Sequence, residues 1–187
     1  EKTALVLVPE ISLTPQLVNR FRERFGDLVA VLHSGMDDGE RFDEWSRIQL
    51  GQAKIAIGAR SAIFAPLQDL GLVVIDEEHD ESYKQQSGLM YSARDLAVLR
   101  AKKLGCGLIL GSATPSYESL LNAENGKYNE VRLDRRVFSN KSPEKRLVNL
   151  NINPSSKGLS APLLIAISQS LENGELSLLF INRRGYS

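Results

Sequence analysis

Leu72-Val73-Val74-Ile75-Asp76-Glu77-Glu78-His79 is the stretch on which the fold turns. Four apolar residues, three of them β-branched, run without polar interruption, which is the pattern of a strand buried on both faces; such strands belong mostly to parallel sheets. In a parallel α/β sheet ligands sit beyond the carboxyl ends of the strands, where the acids after Ile75 project. An acid held there suits the water shell of Mg²⁺, a small hard cation that keeps several waters and takes one or two carboxylates. The next acid is placed to orient or deprotonate a water for attack on a phosphate. Taken alone, the cluster has a simpler reading as a solvated acidic turn, the ordinary state of charged residues at element ends.

Working outward, strands and helices alternate. Thr3 to Val8 reads as a strand, followed by a helix capped by Ser12 or Thr14, with Pro15 in its first position and Leu17, Val18, Phe21 and Phe25 at helical spacing. Leu28 to Leu32 is the next strand. Asp37 or Asp38 starts a helix to about Leu50, with Phe42, Trp45, Ile48 and Leu50 expected to face inward and Gly51 to end it. Lys54 to Ile57 is a third strand, and the strand ending at Asp76 a fourth. A helix from about Ala93 to Lys103 and a strand Leu108-Ile109-Leu110 complete a doubly wound parallel α/β sheet. Beyond it we expect a short helix over Ser116 to Ala123 and a strand over Tyr128 to Leu133. Domain bounds follow as 1–134 for this sheet, 135–158 for a polar, locally basic connector with a loop at Pro154-Ser155-Ser156-Lys157-Gly158, and 159–187 for the start of a second domain. That last part is expected to hold a helix from Ala161 to Glu172 and a strand from Leu176 to Ile181.

Composition narrows the functional classes. The 187 residues, 42% hydrophobic and 25% charged, are ordinary for a soluble globular chain, and no apolar run approaches a membrane span. No signal peptide opens the chain, so cytoplasm is the expected location. Cys106 is the only cysteine, which excludes an internal disulfide and a cysteine-cluster zinc site; His33 and His79 match no zinc spacing with the acids. With 23 basic and 23 acidic residues, no global field draws nucleic acid, so any such role needs local donors.

Those donors fall on one edge of the inferred sheet. Pro9-Glu10-Ile11-Ser12-Leu13-Thr14-Pro15-Gln16, Gly58-Ala59-Arg60-Ser61, Asp76-Glu77-Glu78-His79 and Gly111-Ser112-Ala113-Thr114-Pro115 each follow a strand. Hydroxyls, helix-start N–H groups and an arginine are all competent phosphate donors. Singly each loop is a cap or a turn; the four together point to a nucleic-acid-stimulated ATPase. The segment from Asp80 to Arg94 adds a second nucleic-acid element, in which Tyr83 and Tyr91 offer faces for unpaired bases and Lys84 and Arg94 offer cations for phosphates. The same tyrosines are equally suited to anchoring the loop on the core by their rings.

The wording of these loops resembles the superfamily 2 helicases, and within them the PriA family of primosomal replication-restart helicases. Leu7 to Gln16 is similar to that family's motif Ia, Ile57 to Pro66 to motif Ib, Val74 to His79 to motif II, Gly111 to Ser116 to motif III, and Leu179-Phe180-Ile181-Asn182-Arg183-Arg184-Gly185-Tyr186 to motif IV. The resemblance implies a RecA-like sheet lacking its first strand and P-loop, with the start of a second RecA-like lobe. It implies that Asp76 holds the magnesium of MgATP through the cation's water shell, that Glu77 activates the hydrolytic water, and that His79, Ser112 and Thr114 couple nucleotide state to DNA. Implied DNA contacts are Pro9, Ser12, Thr14, Gln16, Arg60, Ser61, Tyr83, Lys84, Tyr91 and Arg94. The segment 80–94 resembles the aromatic-rich loop with which PriA-like and RecQ-like helicases sense single-stranded DNA, but departs from it at Leu89-Met90 and at Ser92.

A P-loop requires Gly-x-x-x-x-Gly-Lys-Ser/Thr, and the one Gly-Lys pair, Gly126-Lys127, is followed by Tyr128. In the family the phosphate loop precedes this stretch, and a zinc module and an ATP-contacting arginine follow it. The expectation is therefore a segment of an ATP-dependent 3′ to 5′ DNA helicase, inactive in isolation, working in replication restart with single-stranded and forked DNA, other primosome proteins and single-stranded DNA-binding protein. The competing class is a nucleotide-independent DNA-binding module with a structural acidic cluster.

Overall fold

Alternation along the strands decides which face each helix covers. The computed structural model describes residues 2–134, 144–156 and 158–180. They fall into two compact units, Glu1–Val131 and Arg132–Ser187, and the expected connector lies within the second. In the first unit, β1 (Thr3–Leu7), β2 (Val29–Leu32), β3 (Ile55–Gly58), β4 (Leu70–Ile75) and β5 (Gly107–Leu110) form one sheet in the order β2-β3-β1-β4-β5. Every neighbouring pair is parallel, so all five carboxyl ends share one edge.

Leu5 and Leu7 point to one face, where Val73 and Ile75 meet Trp45 and Ile48 of α2 (Asp38–Gln49) and Ala93, Ala97 and Ala101 of α3 (Ala93–Leu104). Val6 and Val8 point to the other, with Val29, Val31 and Ile57 under Leu17, Val18 and Phe21 of α1 (Pro15–Phe25). Helices thus cover both faces, as expected of a doubly wound α/β sheet. Small side chains four residues apart on α3 stack on one stripe and give that helix a close seat.

Local signals set the helix ends. Thr14 accepts the Leu17 N–H at 3.3 Å with Pro15 behind it, and Asp37 and Glu40 form a reciprocal capping box. Gly105 ends α3 in the left-handed conformation. Gly58 answers to space instead: a Cβ there would stand 2.3 Å from the Leu32 carbonyl oxygen and 2.6 Å from the Ala62 Cβ. Its absence lets the 3₁₀ turn Arg60–Phe64 fold tightly over the end of β3.

Three expectations fail. Phe42 is 70% and Leu50 71% exposed, whereas Trp45 and Ile48 of the same helix pack inward. At 100° per residue Phe42 stands about 120° round the helix from Ile48, off the edge of the buried stripe. No strand forms over 128–133, nor over 176–180, the part of the expected Leu176–Ile181 strand within the described residues. A strand exists through a ladder, and neither segment belongs to one among the described residues. Within the loop expected at 154–158, Ser155–Ser156 form a strand, β6, which pairs antiparallel with β7 (Leu159–Ser160) ahead of α5 (Ala161–Glu172) in the second unit. The motif IV residues 181–186 lie outside the described residues.

Candidate functional site

The loops after β1, β3, β4 and β5 meet at the carboxyl edge of the sheet. At the end of β4, Asp76 is exposed and Glu77 adopts a positive φ of 46°. A non-glycine residue in that region carries strain that the surrounding structure must hold in place. Here the holding bonds are visible: Asp76 N–H donates to the Leu7 carbonyl at 2.9 Å, and Glu78 N–H to the Gly111 carbonyl at 3.0 Å. Asp76 Oδ1 accepts the Glu77 N–H at 3.1 Å, while Oδ2 has no protein partner among the described residues.

Glu78 turns inward. It is 2% exposed, and its carboxylate accepts from the Ser116 N–H at 2.6 Å, the Ser116 hydroxyl at 3.0 Å and Arg94 Nη1 at 3.2 Å. Burial alone would raise its pKa, but the hydrogen bonds from Ser116, Ser119 and Arg94 outweigh it and hold the carboxyl below its ordinary value. Ser116 also caps α4 (Tyr117–Glu124) through the Ser119 N–H. His79 points the other way along the same loop. Its Nδ1 lies 2.7 Å from Ser112 Oγ and 3.6 Å from Glu77 Oε2, and its Nε2 lies 3.3 Å from Thr114 Oγ1. The expected coupling trio His79, Ser112 and Thr114 is therefore one hydrogen-bonded group.

The segment 80–92 folds back over the sheet. Asp80 accepts the Ser82 N–H at 2.7 Å, and hydrogen bonds from the Ser82 side chain first and its backbone second hold the Asp80 carboxyl below its usual range. Lys84 and Ser92 form an antiparallel bridge, and Gln85 N–H donates to the Tyr91 carbonyl at 2.8 Å. Arg60 reaches across from the turn after β3 to the carbonyls of Ser82 (3.3 Å) and Lys84 (3.0 Å). Between these parts lies a cleft of about 420 Å³ lined by Glu10, Ser34, Arg60, Ser61, Gln85 and Tyr91 among others.

Four of the expected DNA contacts, Tyr83, Arg94, Pro9 and Thr14, are placed differently. Tyr83 is 2% exposed and donates its hydroxyl to the Asp76 carbonyl at 2.7 Å, so its face is not free to stack on a base. Burial first, then the nearby Asp76, Asp80 and Glu77, push its phenol pKa up, and it stays neutral. Arg94 is tied into Glu78, Ser116 and Asp95 rather than open to phosphate. Tyr91 is half-buried, edge-on to Phe64 with ring centroids 5.2 Å apart. Lys84, Gln16 and Ser61 are exposed, Ser12 and Arg60 partly so; Pro9 is buried, and Thr14 is occupied as the α1 cap. Sequence reasoning missed the node at Glu78 and Ser116, because no local pattern tells an inward carboxylate from its outward neighbours.

The residues present suit MgATP in part. Mg²⁺ in phosphate sites takes one or two carboxylates and draws its other ligands from water and phosphate, which matches one exposed aspartate with an unshared oxygen. Among the described residues no group of three or more His, Cys, Asp or Glu side chains could hold a metal by itself, and no helix is long and apolar enough to cross a membrane.

Residues 1–123 match the DEAD/DEAH box helicase family. Replication restart protein PriA of Bacillus subtilis (strain 168) is 47% identical over 189 residues, covering 100% of this chain and 24% of that protein. The proteins of the same name from Haemophilus influenzae (47% over 186 residues, 100% and 26%) and Synechocystis (45% over 194 residues, 100% and 23%) are similar to it as well. The chain spans about a quarter of the length of these curated relatives. By the match over its sheet, helices and site loops, the chain belongs to the DEAD/DEAH box helicase family.

Proposed function

We propose that this chain is part of the motor of an ATP-dependent DNA helicase that works in replication restart and moves 3′ to 5′ along one strand. The observation that carries the reading is the junction at the end of β4: Asp76 and Glu77 face outward beside His79, Ser112 and Thr114, and the next residues lead directly into the lining of the cleft. MgATP, when bound, supplies the phosphoanhydride whose cleavage drives the cycle. Asp76 holds the metal's water shell, and Glu77, lifted by its positive φ, orients and deprotonates the attacking water. His79 reads the state of that site and passes it to Ser112 and Thr114. On the other side of the junction, Ser12, Gln16, Ser61, Lys84 and the cleft beside Arg60 and Tyr91 receive a single strand. The phosphate loop and the second lobe's arginine come from elsewhere in the full-length protein. The name of the relatives, replication restart protein, supports DNA and replication-restart machinery as partners in general; within that reading the partners are forked DNA, primosome proteins and single-stranded DNA-binding protein, and the place of work is the cytoplasm.

The test uses the full-length protein. ATP hydrolysis is measured with and without a single-stranded oligonucleotide, and strand displacement on duplexes carrying a 3′ or a 5′ single-stranded tail. The expected result is DNA-stimulated hydrolysis and displacement on the 3′-tailed substrate. Binding of DNA without any ATP hydrolysis would favour the nucleotide-independent module instead.

A further inference from the structure

Glu78 differs from its acidic neighbours in being enclosed. Its carboxylate joins three elements: the loop after β4, the first turn of α3 through Arg94, and the start of α4 through Ser116. Arg94 Nη1 also donates to the Ser116 hydroxyl at 2.9 Å, which closes the triangle. Arg94 Nε faces Asp95 at 3.2 Å, and Nη1 itself also stands 3.9 Å from Glu118. The Arg94 side chain is 14% exposed and that of Glu78 1% exposed, so water cannot readily replace either partner. Separating a buried charged pair leaves an uncompensated charge, which makes the link stiff.

The position of this triangle matters more than its strength. Segment 80–92 leaves from Glu78 and His79 and returns at Ser92, Ala93 and Arg94, so both of its ends are fastened at the same carboxylate. Segment 111–116 is fastened there too: Gly111 accepts the Glu78 N–H, Ser112 and Thr114 bracket His79, and Ser116 binds Glu78. A shift of 80–92 that reaches its ends must therefore either carry 111–116 with it or break the buried pair.

We infer that Glu78, Arg94 and Ser116 are positioning residues that transmit engagement of DNA by segment 80–92 to the Ser112–Thr114 loop. This rests on the reading of 80–92 as part of a DNA-binding face. It assigns Arg94 no phosphate contact and Glu78 no chemistry, and makes the third acid of the cluster a mechanical link between the two halves of the site.

The experiment compares the full-length wild type with Arg94→Ala, Arg94→Lys and Ser116→Ala. Hydrogen–deuterium exchange is read with and without a single-stranded oligonucleotide and without nucleotide, beside DNA affinity and ATP turnover at saturating DNA. In the wild type, DNA is expected to slow exchange in both 80–92 and 111–116. In Arg94→Ala the protection of 80–92 remains and that of 111–116 is lost, with DNA affinity within about threefold and saturating turnover down about tenfold. Arg94→Lys, which keeps the charge near Glu78, restores part of the protection. If Arg94→Ala loses its cooperative melt, Ser116→Ala, which deletes one hydroxyl, reads the same loss in milder form.

Protection of 111–116 that survives in these variants, or that DNA never produces in the wild type, overturns the inference. So does a fall in DNA affinity with saturating turnover intact, which would return Arg94 to a phosphate contact. A wild type that never hydrolyses ATP sinks the helicase reading instead, while its exchange data still decide the link.

Discussion

The hydroxyl of Tyr83 donates a 2.7 Å hydrogen bond to the backbone carbonyl of Asp76, and the ring beneath it is 2% exposed. An aromatic residue in the segment beside the cleft is thereby a support for the acid at the end of β4. The Asp76 N–H is already held by Leu7, so its peptide is fixed from both sides.

Tyr83→Phe removes only that hydrogen bond and leaves the Asp76 carbonyl without its protein partner. The expected loss of stability is about 1 kcal/mol, read by urea denaturation, with a small drop in ATP turnover from looser placement of Asp76. Tyr83→Ala also leaves a cavity and should cost about 3–5 kcal/mol. Unchanged stability in Tyr83→Ala together with weaker DNA binding would show that the ring stacks on bases after all.

Glu77→Gln keeps the shape of the side chain and deletes its capacity to take a proton. In the full-length protein DNA-stimulated hydrolysis should fall by about 10²–10⁴-fold, while ATP and DNA still bind. Near-normal turnover in this variant would remove the role given to Glu77. The change leaves the positive φ untouched, so stability should move little.

Much of the sheet was legible because a strand packed in a sheet leaves a plain mark: Leu72 to Ile75 and Leu108 to Leu110 are apolar runs between turn residues, and both are strands, the second at the sheet's edge with Ile109 53% exposed. Caps were legible for the same local reason, with Thr14 and Asp37 placed ahead of apolar stripes. Phe42 was misread because helical spacing names a stripe without fixing its edges. Tyr83 stayed open between two roles because a ring that stacks on a base and a ring that fills a core have the same composition around them; only its burial and the distance to the Asp76 carbonyl separate the two. The pairing of Glu78 with Arg94 spans 16 residues and a fold-back, and depends on where α3 begins over the sheet. Such a contact follows from tertiary placement, which one sequence does not display.

His79 is held by hydroxyls at both ring nitrogens, and a hydroxyl can donate or accept, so either neutral tautomer is served. If the trio works as one relay, losing one member should nearly exhaust the effect. His79→Ala and Thr114→Ala are each expected to lower DNA-stimulated turnover, and the double variant to cost little more than the larger single change. The implied coupling is about 0.5–3 kcal/mol, measured as a double-mutant cycle on turnover at saturating DNA. Strict additivity would separate His79 from Thr114.

Arg100 ties the carboxyl edge of the sheet together from within. Its guanidinium donates to the Ile63 carbonyl at 2.6 Å and the Ala65 carbonyl at 2.9 Å, tying α3 to the turn that carries Arg60 and Ser61. Burial lowers its pKa, yet an arginine keeps its charge, so both bonds are charge-assisted. Arg100→Met preserves the apolar stem and leaves the Ile63 carbonyl without its protein partner among the described residues. The expected cost is about 1.5–3 kcal/mol. Arg100→Lys should recover only part of it, because an ammonium cannot present the two parallel donors of the fork. DNA affinity should fall with the loosening of the Arg60 turn, while the slope of affinity against salt stays the same, since no phosphate contact is lost. A slope shallower by about one with stability unchanged would mean that Arg100 itself meets a phosphate.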